Sequence, residues 1–376
     1  MARLTRAEQQ DRTRRKVLEA AGAEFAERGF RNATVDGIAE RADLTRGAVY
    51  SNFPGKRALY FAVLAHGAEH APPPTGRKPA DTVSAALHAF AGVWMQRIPR
   101  SAVFDTHSSG QLRSPSLSLD LIPEITSDEG LRHAFSRLLA FDAIVLGHCM
   151  RRLGGTRARS LSECIGTAES VLTILYGATQ LSFAAPEFVD PEHVMTLCGQ
   201  VAELDTVAVA ISPRSHQDRP STRLHRPWTP PARTDLMRVR PARFDRQGMI
   251  AILGLNRLGA LAGALAAAPP DAEVTVAIAT KDLSELGSLA RLAVLDFSRS
   301  LRHAFPASAL AQLQVVVDES GALAAACGID RIDDDTEAAV GTTRGHLIDL
   351  ATGPGACDIV AGRLSGNDID ERLSVR

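Results

Sequence analysis

The sequence predicts a mainly α-helical protein that ends in an α/β domain, and three features of the chain support this fold class. Up to about residue 211, apolar residues recur at intervals of three and four, which is the spacing of one buried helix face. Residues 212–234 are crowded with proline and arginine and predict a linker. Beyond residue 247, short strand-like apolar runs alternate with Ala- and Leu-rich helical runs, which is typical of an α/β domain.

The bulk composition narrows the class of protein. A chain of 376 residues is long enough for two or three domains, and a hydrophobic content of 45% is sufficient for packed cores. No apolar run reaches the roughly 18 residues of a membrane span, and the sequence does not begin with a signal peptide. The five cysteines are scattered without a C-x-x-C pair. We therefore expect neither disulfides nor a metal site, no cofactor, and a location in the reducing cytoplasm away from membranes.

The net charge of −1 conceals a basic N-terminal region. Residues 1–66 carry twelve Lys or Arg against eight Asp or Glu, and four of these basic residues lie between Arg12 and Lys16. A basic patch on one small module is typical of nucleic-acid binders. A charge run by itself, however, more often marks a solvated face.

The first predicted helix extends from about Asp11 to Arg28. Gly29 is expected to end it, because glycine readily adopts the left-handed conformation that closes many helices. Phe30 follows in the connection, where it is available to fill the small core. One apolar stripe along this helix is formed by Val17, Ala21 and Phe25.

A second, short helix of about two turns is predicted after Thr34, which is a good N-cap residue. Its apolar positions, at helical spacing, are Val35, Ile38, Ala39 and Ala42. A tight turn, Ala42-Asp43-Leu44, follows.

The third helix is predicted from Arg46 to Phe53, with Thr45 as its N-cap. Pro54-Gly55 ends it, because proline cannot continue a helix. Lys56 then begins a fourth helix.

Two short helices joined by a tight turn, the second exposing polar side chains, predict a recognition helix in the major groove of DNA. Arg46 can donate to guanine or to phosphate, and Gly47 lets the backbone approach the sugar-phosphate chain closely. The alternative is a plain three-helix packing unit in which Tyr50 is a half-buried core residue. The candidate DNA contacts are Thr34, Thr45, Arg46, Gly47, Tyr50, Ser51 and Lys56.

This region resembles the N-terminal domain of TetR-family repressors almost position for position. The matching positions are Phe30, Thr34, Val35, Ile38, Ala39, Ala42, Leu44, Thr45, Gly47, Val49, Tyr50, Phe53, Lys56 and Leu59. The resemblance implies that the helix after the turn enters the major groove, with contacts from all the candidates above except Ser51. Asp43 stands where the family usually has glycine. Because Asp tolerates left-handed backbone better than most residues, we still expect the turn to form.

Residues 80–211 carry no motif, but helical patterns occupy residues 81–98, 127–153, 157–183 and 191–211. The resemblance implies a helical bundle that holds a small-molecule effector and forms a homodimer through residues 157–183 and 191–211. Small residues on these helices, such as Gly177, permit close approach. The alternative is that the helices pack only within one chain.

The effector pocket is predicted from residue type alone, because aromatic side chains suit an apolar ligand and His or Gln can anchor it. The candidates are Phe90, Trp94, Phe104, His107, Phe141, His148, Tyr176 and Gln180. Each of them is as well explained as a core residue. Cys149, Cys164 and Cys198 raise a second alternative, a thiol sensor, although isolated cysteines on apolar helices are usually inert.

The chain is longer than members of the resembled family usually are, and its additional residues 235–376 predict an α/β accessory domain. Predicted strands are residues 249–253, 273–279, 313–317 and 343–350, with a turn at residues 351–353 and a short helix ending at Cys327. The order faintly resembles a thioredoxin-like fold. The stretch Gly254–Gly259, where the reactive thiols would lie, contains no cysteine, so the resemblance implies the fold without redox chemistry. The acidic run 330–337 is interpreted as a solvated loop.

Together these observations predict a DNA-binding transcriptional regulator and not an enzyme. We expect a repressor that reads a palindromic operator in double-stranded DNA as a dimer and is released by a small-molecule effector. The alternative is a DNA-addressed enzyme, or a partner-binding protein, whose activity lies in residues 235–376. The predicted domains are 1–66, which binds DNA; 80–211, which binds the effector and dimerises; the linker 212–234; and 235–376.

Overall fold

The computed structural model describes residues 5–72, 79–98, 122–155, 159–205, 208–210 and 221–364. Its N-terminal half is helical, as predicted. The helices are α1 (Arg6–Asn32), α2 (Val35–Arg41), α3 (Arg46–Tyr50), α4 (Lys56–His70), α5 (Val83–Gln96), α6 (Ile122–Ser127), α7 (Glu129–Gly154), α8 (Leu161–Ala184) and α9 (Pro191–Val201). Within the residues that the structure describes, no helix is both long and apolar enough to cross a membrane.

The starts of the helices follow the capping residues in the sequence. Thr5 and Glu8 form a reciprocal capping box, so α1 begins earlier than the apolar stripe predicted. Thr34, Thr45 and Thr82 each accept a hydrogen bond from a backbone N–H in the first turn of the helix that follows. The helices therefore begin where side-chain oxygens can satisfy their free N–H groups.

Two helix ends differ from prediction. The third helix stops at Tyr50, not Phe53, because the N–H of Asn52 donates to Val49, three residues back, while the carbonyl of Ala48 accepts from the side chains of Ser51 and Asn52. The last helix was predicted to reach Ile211 but ends at Val201. Beyond it the chain returns to α8, where the N–H of Val209 donates to the carbonyl of Ser162.

The C-terminal half contains the sheet and the remaining helices. The strands are β1 (Thr222–Pro227), β2 (Thr234–Asp235), β3 (Arg240–Pro241), β4 (Gly248–Gly254), β5 (Glu273–Ala279), β6 (Leu313–Val317), β7 (Glu337–Thr343) and β8 (His346–Thr352). The helices are α10 (Ala260–Ala267), α11 (Leu286–Ala304), α12 (Ala322–Ala326) and α13 (Ala356–Leu364). Six strands form one sheet in the order β1-β8-β7-β4-β5-β6, and β2 pairs with β3. The chain is thus mainly α with an α/β C-terminal region, which confirms the predicted fold class.

Two predictions about this region need correction. Residues 222–227 lie in strand β1, which pairs antiparallel with β8, and are not part of a linker. The strand predicted at 343–350 is instead a hairpin, because Arg344 and Gly345 have φ of 43° and 79° and turn β7 into β8. The first strand of the sheet therefore lies within residues 212–234, while the predicted domain limits stay a prediction.

The sheet combines a parallel half with an antiparallel half. Strands β4, β5 and β6 run parallel, while β7 lies antiparallel beside β4 and continues through the hairpin to β8. The helix α13 follows β8 and packs against α10. The likeness to thioredoxin-like folds stays a prediction.

Helix α11 joins the α/β region to the rest of the molecule. It packs against α4, α5 and α7 as well as against β6. Its Asp296 forms an ion pair with Arg97, and both side chains are almost completely buried. One continuous apolar core extends from Val17 in α1 to Leu364 in α13. One face of the sheet therefore belongs to the same core as the N-terminal helices, while its other face packs in a second cluster that includes Ile250, Ile252 and Val316.

Candidate nucleic-acid interface

The orientation of α2 relative to α1 depends on a buried carboxylate. Glu24 is 1% exposed and accepts a hydrogen bond from Nε of Arg41 at 2.9 Å, and Arg28 lies 3.3 Å away. Gly37 faces it, since a Cβ at that position would lie 2.7 Å from Oε1 of Glu24. Buried charges need such partners, so Glu24 fixes α2 on α1. The sequence contained a signal that we missed: Glu24 is a charged residue on an apolar stripe.

The turn between α2 and α3 has the predicted conformation. Asp43 has φ of 52°, and the N–H of Leu44 donates to the carbonyl of Ala39 at 3.0 Å. Gly29, with φ of 69°, breaks α1 near its end, as its sequence position predicted.

Helix α3 buries one face and exposes the other. Val49 is 1% exposed and packs in the small core with Phe53 and Ile38. Tyr50 is 40% exposed, so it is not a core residue, and the packing-unit alternative loses its main support. The other candidates exposed on this side of the domain are Thr34, Thr45, Arg46, Gly47 and Ser51.

Arg46 is held loosely above the surface. Its guanidinium lies 3.3 Å from Oδ2 of Asp36 and donates to the hydroxyl of Tyr50 at 3.5 Å. The side chains of the Arg46–Asp36 pair are 60% and 69% exposed. A pair this exposed contributes little to stability. Arg46 can therefore exchange these partners for a phosphate or a base edge.

Lys56 lies in a different environment from the one predicted. Its ammonium group donates to the carbonyls of Arg31 and Ala33, both at 3.1 Å, and lies 4.7 Å from the centre of the Phe30 ring. These contacts hold the end of α1 onto the start of α4. A DNA contact by Lys56 stays a prediction, because the ammonium would have to leave or share these carbonyls.

Comparison with known proteins agrees with this geometry. A family model described as "Bacterial regulatory proteins, tetR family" matches residues 17–63. Residues 17–63 are a TetR-family helix-turn-helix domain. The match begins in α1 and ends in α4, so it covers the whole unit built on Glu24 and Val49.

Curated relatives of the TetR-family domain are named as transcriptional regulators. The HTH-type transcriptional regulator SrpR of Pseudomonas putida is 48% identical over 65 residues, which are 17% of this chain and 30% of that protein. The probable acrEF/envCD operon repressor of Escherichia coli K12 is 42% identical over 60 residues, 16% of this chain and 27% of the repressor. The regulator Mb3439c of Mycobacterium bovis is 34% identical over 130 residues, 33% of this chain and 66% of its own length.

These matches are partial on both sides. The chain spans less than half of the length of SrpR and of the acrEF/envCD repressor. A solved TetR-family regulator from Cytophaga hutchinsonii covers 54% of this chain and 98% of its own, at 16% identity and a TM-score of 0.36. A score this low carries no argument about the fold, so the family assignment applies to the N-terminal domain.

The predicted effector-pocket residues come together, but as packed core. Trp94 contacts both Phe90 and Tyr176, with ring centres 6.3 and 5.0 Å away. Phe297 of α11 lies 5.5 Å from Phe90, and the indole N–H of Trp94 donates to Thr179 at 3.0 Å. The cluster is therefore filled from the α/β region, a contact that the sequence could not show.

The remaining pocket candidates lie in mixed surroundings. Phe141 and His148 are buried, and burial lowers the pKa of His148 to about 3, so its ring is neutral. Gln180 is exposed. Phe104 and His107 lie outside the described residues. As a ligand set, these residues stay a prediction.

The thiol-sensor alternative finds no support in the cysteines. Cys149, Cys164 and Cys198 are free and buried. Burial raises their pKa values to about 12, 11 and 12. Since the thiolate is the reactive form, such thiols react slowly near neutral pH.

Proposed function

We propose that this protein is a homodimeric transcriptional repressor that reads a palindromic operator and is released from DNA by a small-molecule effector. The observation that carries the proposal is the face of α3, where Arg46, Tyr50 and the bare Cα of Gly47 are exposed together beside the capped start of α2. In a helix-turn-helix such a second helix lies in the major groove.

The proposed contacts divide by chemistry. Thr34 and Thr45 lie at the N-termini of α2 and α3, where hydroxyls and free N–H groups bind phosphate. Arg46 would read a guanine or a phosphate, and each good bidentate base contact is worth about 1–3 kcal/mol. Tyr50 and Ser51 would contact the backbone at the groove edge.

Exposed apolar side chains on α8 and α9 and in the chain next to them support the dimer. Leu181, Phe188, Leu197 and Leu204 are 41%, 76%, 45% and 56% exposed. Four large apolar side chains exposed within one short stretch of the chain favour an interaction site there. Gly177 also faces open space, with no atom within 4 Å of a Cβ built on it. A second copy of α8 and α9 would cover this surface and place two copies of α3 one helical turn of DNA, or a multiple of it, apart.

The test of DNA reading is a selection of the full-length protein on a randomised pool of double-stranded DNA. We expect an inverted repeat from the wild type and none from Arg46→Ala or Tyr50→Ala. Arg331→Ala, an exposed arginine of the α/β region, is the matched control and should select the same repeat. If moderate salt yields no enriched sequence, or if Arg46→Ala selects as well as the wild type, the proposal fails.

The dimer is tested separately by sedimentation of Leu181→Arg. A charge in place of this exposed leucine should convert the dimer to a monomer and reduce the inverted repeat to a weakly bound half-site. An unchanged dimer would mean that the contact lies elsewhere. Ser182→Arg, which changes a neighbouring half-buried position, shows whether any added charge on α8 suffices.

A further inference from the structure

A cleft of about 830 Å³ lies between the TetR-family domain and the α/β region. Arg14 of α1 and Glu69 of α4 form one wall. The other wall includes Leu283, which follows β5, and Val317 at the end of β6. The carboxyl ends of parallel strands are where α/β sheets usually bind ligands. The cleft is therefore at a suitable place for a ligand that both regions contact.

The lining of the cleft is basic. It contains four arginines, Arg14, Arg233, Arg240 and Arg291, and two glutamates, Glu69 and Glu319. Arg291 bonds to both glutamates, at 2.7 and 3.2 Å, and Arg233 bonds to the buried Asp318. Arg240 is exposed and forms no ion pair among the described residues. The excess of positive charge suits an anion.

The cleft also has an apolar surface. Leu283 is 36% exposed, one of the few large apolar side chains left open to solvent, and Val239 and Val317 lie beside it. An arginine with apolar neighbours matches a ligand that has a charged end and a hydrocarbon body.

The backbone at the mouth of the cleft is strained. Val239 has φ of 51°, a conformation that a β-branched residue rarely adopts. It is kept there by its neighbour Arg238, which bonds to Asp235 and to the carbonyl of Leu313. Strain of this kind is concentrated at ligand clamps, and here it directs the short β2–β3 hairpin at the cleft.

From these four observations we propose that the cleft binds a small organic carboxylate with an aromatic or aliphatic body. Its carboxylate would pair with Arg240 and Arg291 and its body would lie on Leu283 and Val239. Guanidinium groups bind carboxylates in a bidentate, charge-assisted geometry.

A ligand in the cleft would affect the DNA-binding domain through Arg291. The Arg291–Glu69 bond ties α11 to α4, and α4 follows directly after the recognition helix. A carboxylate that takes Arg291 from Glu69 weakens this tie, so ligand and operator would bind with linked affinities. This second part rests on the proposed function, whereas binding to the cleft does not.

The first experiment measures binding without DNA. 1-Naphthoate is titrated into the full-length protein by calorimetry, with the neutral 1-naphthalenemethanol and with acetate as comparisons. We expect naphthoate to bind at least tenfold more tightly than either one. Arg240→Glu should weaken naphthoate at least tenfold, while Arg243→Glu, an exposed arginine nearby in sequence that does not line the cleft, should leave it unchanged. No naphthoate binding, or equal loss in both variants, would overturn the site.

The second experiment repeats the titration with the selected operator present. We expect naphthoate affinity to change, and operator affinity to change by the same factor, because the coupling is reciprocal. Binding of naphthoate with no effect of DNA would overturn the regulatory part and leave the site. If no operator can be selected, the proposed function is contradicted, while the result of the first experiment still decides whether the cleft binds the carboxylate.

Discussion

Helices α3 and α4 lie next to each other in one small domain, yet their surroundings are opposite. The recognition helix α3 exposes Arg46, Tyr50 and Ser51 and buries little besides Val49. In α4, eight consecutive residues, Ala58 to Ala65, are buried. A helix that is buried on every side needs partners on every side. For α4 these are α1 and, more than 200 residues later, α11. The N-terminal domain therefore exposes the outer face of α3 and depends on the α/β region to bury α4.

The largest effect on the N-terminal domain is expected from removal of α11. We expect a chain of residues 1–211 to lose cooperative thermal unfolding by circular dichroism, because the second side of α4 and the face of α5 become exposed. Burial of each large apolar side chain is worth about 1.5–3 kcal/mol, and the total stability of a domain is about 5–15 kcal/mol. A stable, cooperative fragment that still selects the operator would show that α4 needs only α1.

A second variant removes one buried charge at the other side of α11. Arg97→Met leaves Asp296 buried without its partner and should lower the free energy of unfolding by about 3–5 kcal/mol. The double variant Arg97→Met with Asp296→Leu should recover most of this loss, since it replaces the pair by apolar groups. Urea unfolding of the three proteins gives the values. A double variant as unstable as the single one would contradict the reasoning.

The contact between α7 and α11 should also make the stability depend on pH. Burial raises the pKa of Asp142 well above its ordinary value, and nearby Asp296 raises it further. In the unfolded chain this carboxyl ionises near pH 3.9. Its ionisation therefore favours the unfolded state at neutral pH, and this cost disappears as the pH falls toward the unfolded pKa.

We accordingly expect Asp142→Asn to raise the Tm at about pH 7.5 and to leave it unchanged near about pH 4. Each unit of pKa shift corresponds to about 1.4 kcal/mol. Asp271→Asn, an exposed carboxylate, is the control and should have no effect at either pH. Stabilisation that is equal at both pH values would point to packing and not to ionisation.

The smallest effect is expected on the open side, in the turn before α3. Asp43→Gly should stabilise the protein by about 1 kcal/mol, because glycine adopts the φ of 52° without the steric cost that a side chain carries there. Asp43→Val should destabilise it, and neither variant should move the Arg97 or Asp142 effects. Thermal melts of the two variants, with operator affinity as a second measurement, decide this.

The sequence predicted where α2, α3 and α4 begin, because the start of a helix depends on neighbours in the chain. Thr34, Thr45 and Gly29 act within a few residues of themselves, and so does the turn at Asp43. Strands β5 and β6 were predicted at their observed limits, and β4 within one residue at each end, for a similar reason: each is one continuous apolar run.

The elements that were missed depend on distant partners. Strand β1 is exposed at nearly every position and shows no alternation, so only its pairing with β8 makes it a strand. The contact of Phe297 with Phe90 could not be predicted, because the two residues lie about 200 positions apart in the chain. Lys56 was assigned to DNA by its place in a motif, while its carbonyl partners belong to the end of α1.

The buried position of α4 also has a consequence for synthesis of the protein. Its second partner, α11, ends at Ala304, so 234 further residues must be made after α4 is complete. At about 5–20 residues per second, the apolar back of the DNA-binding domain remains uncovered for about 10–50 s on the ribosome. During that time the nascent chain carries a helix-turn-helix with exposed apolar side chains that can associate with other chains. We expect the growing chain to need a holding chaperone over this interval, and the domain to become able to read DNA only when α11 has emerged.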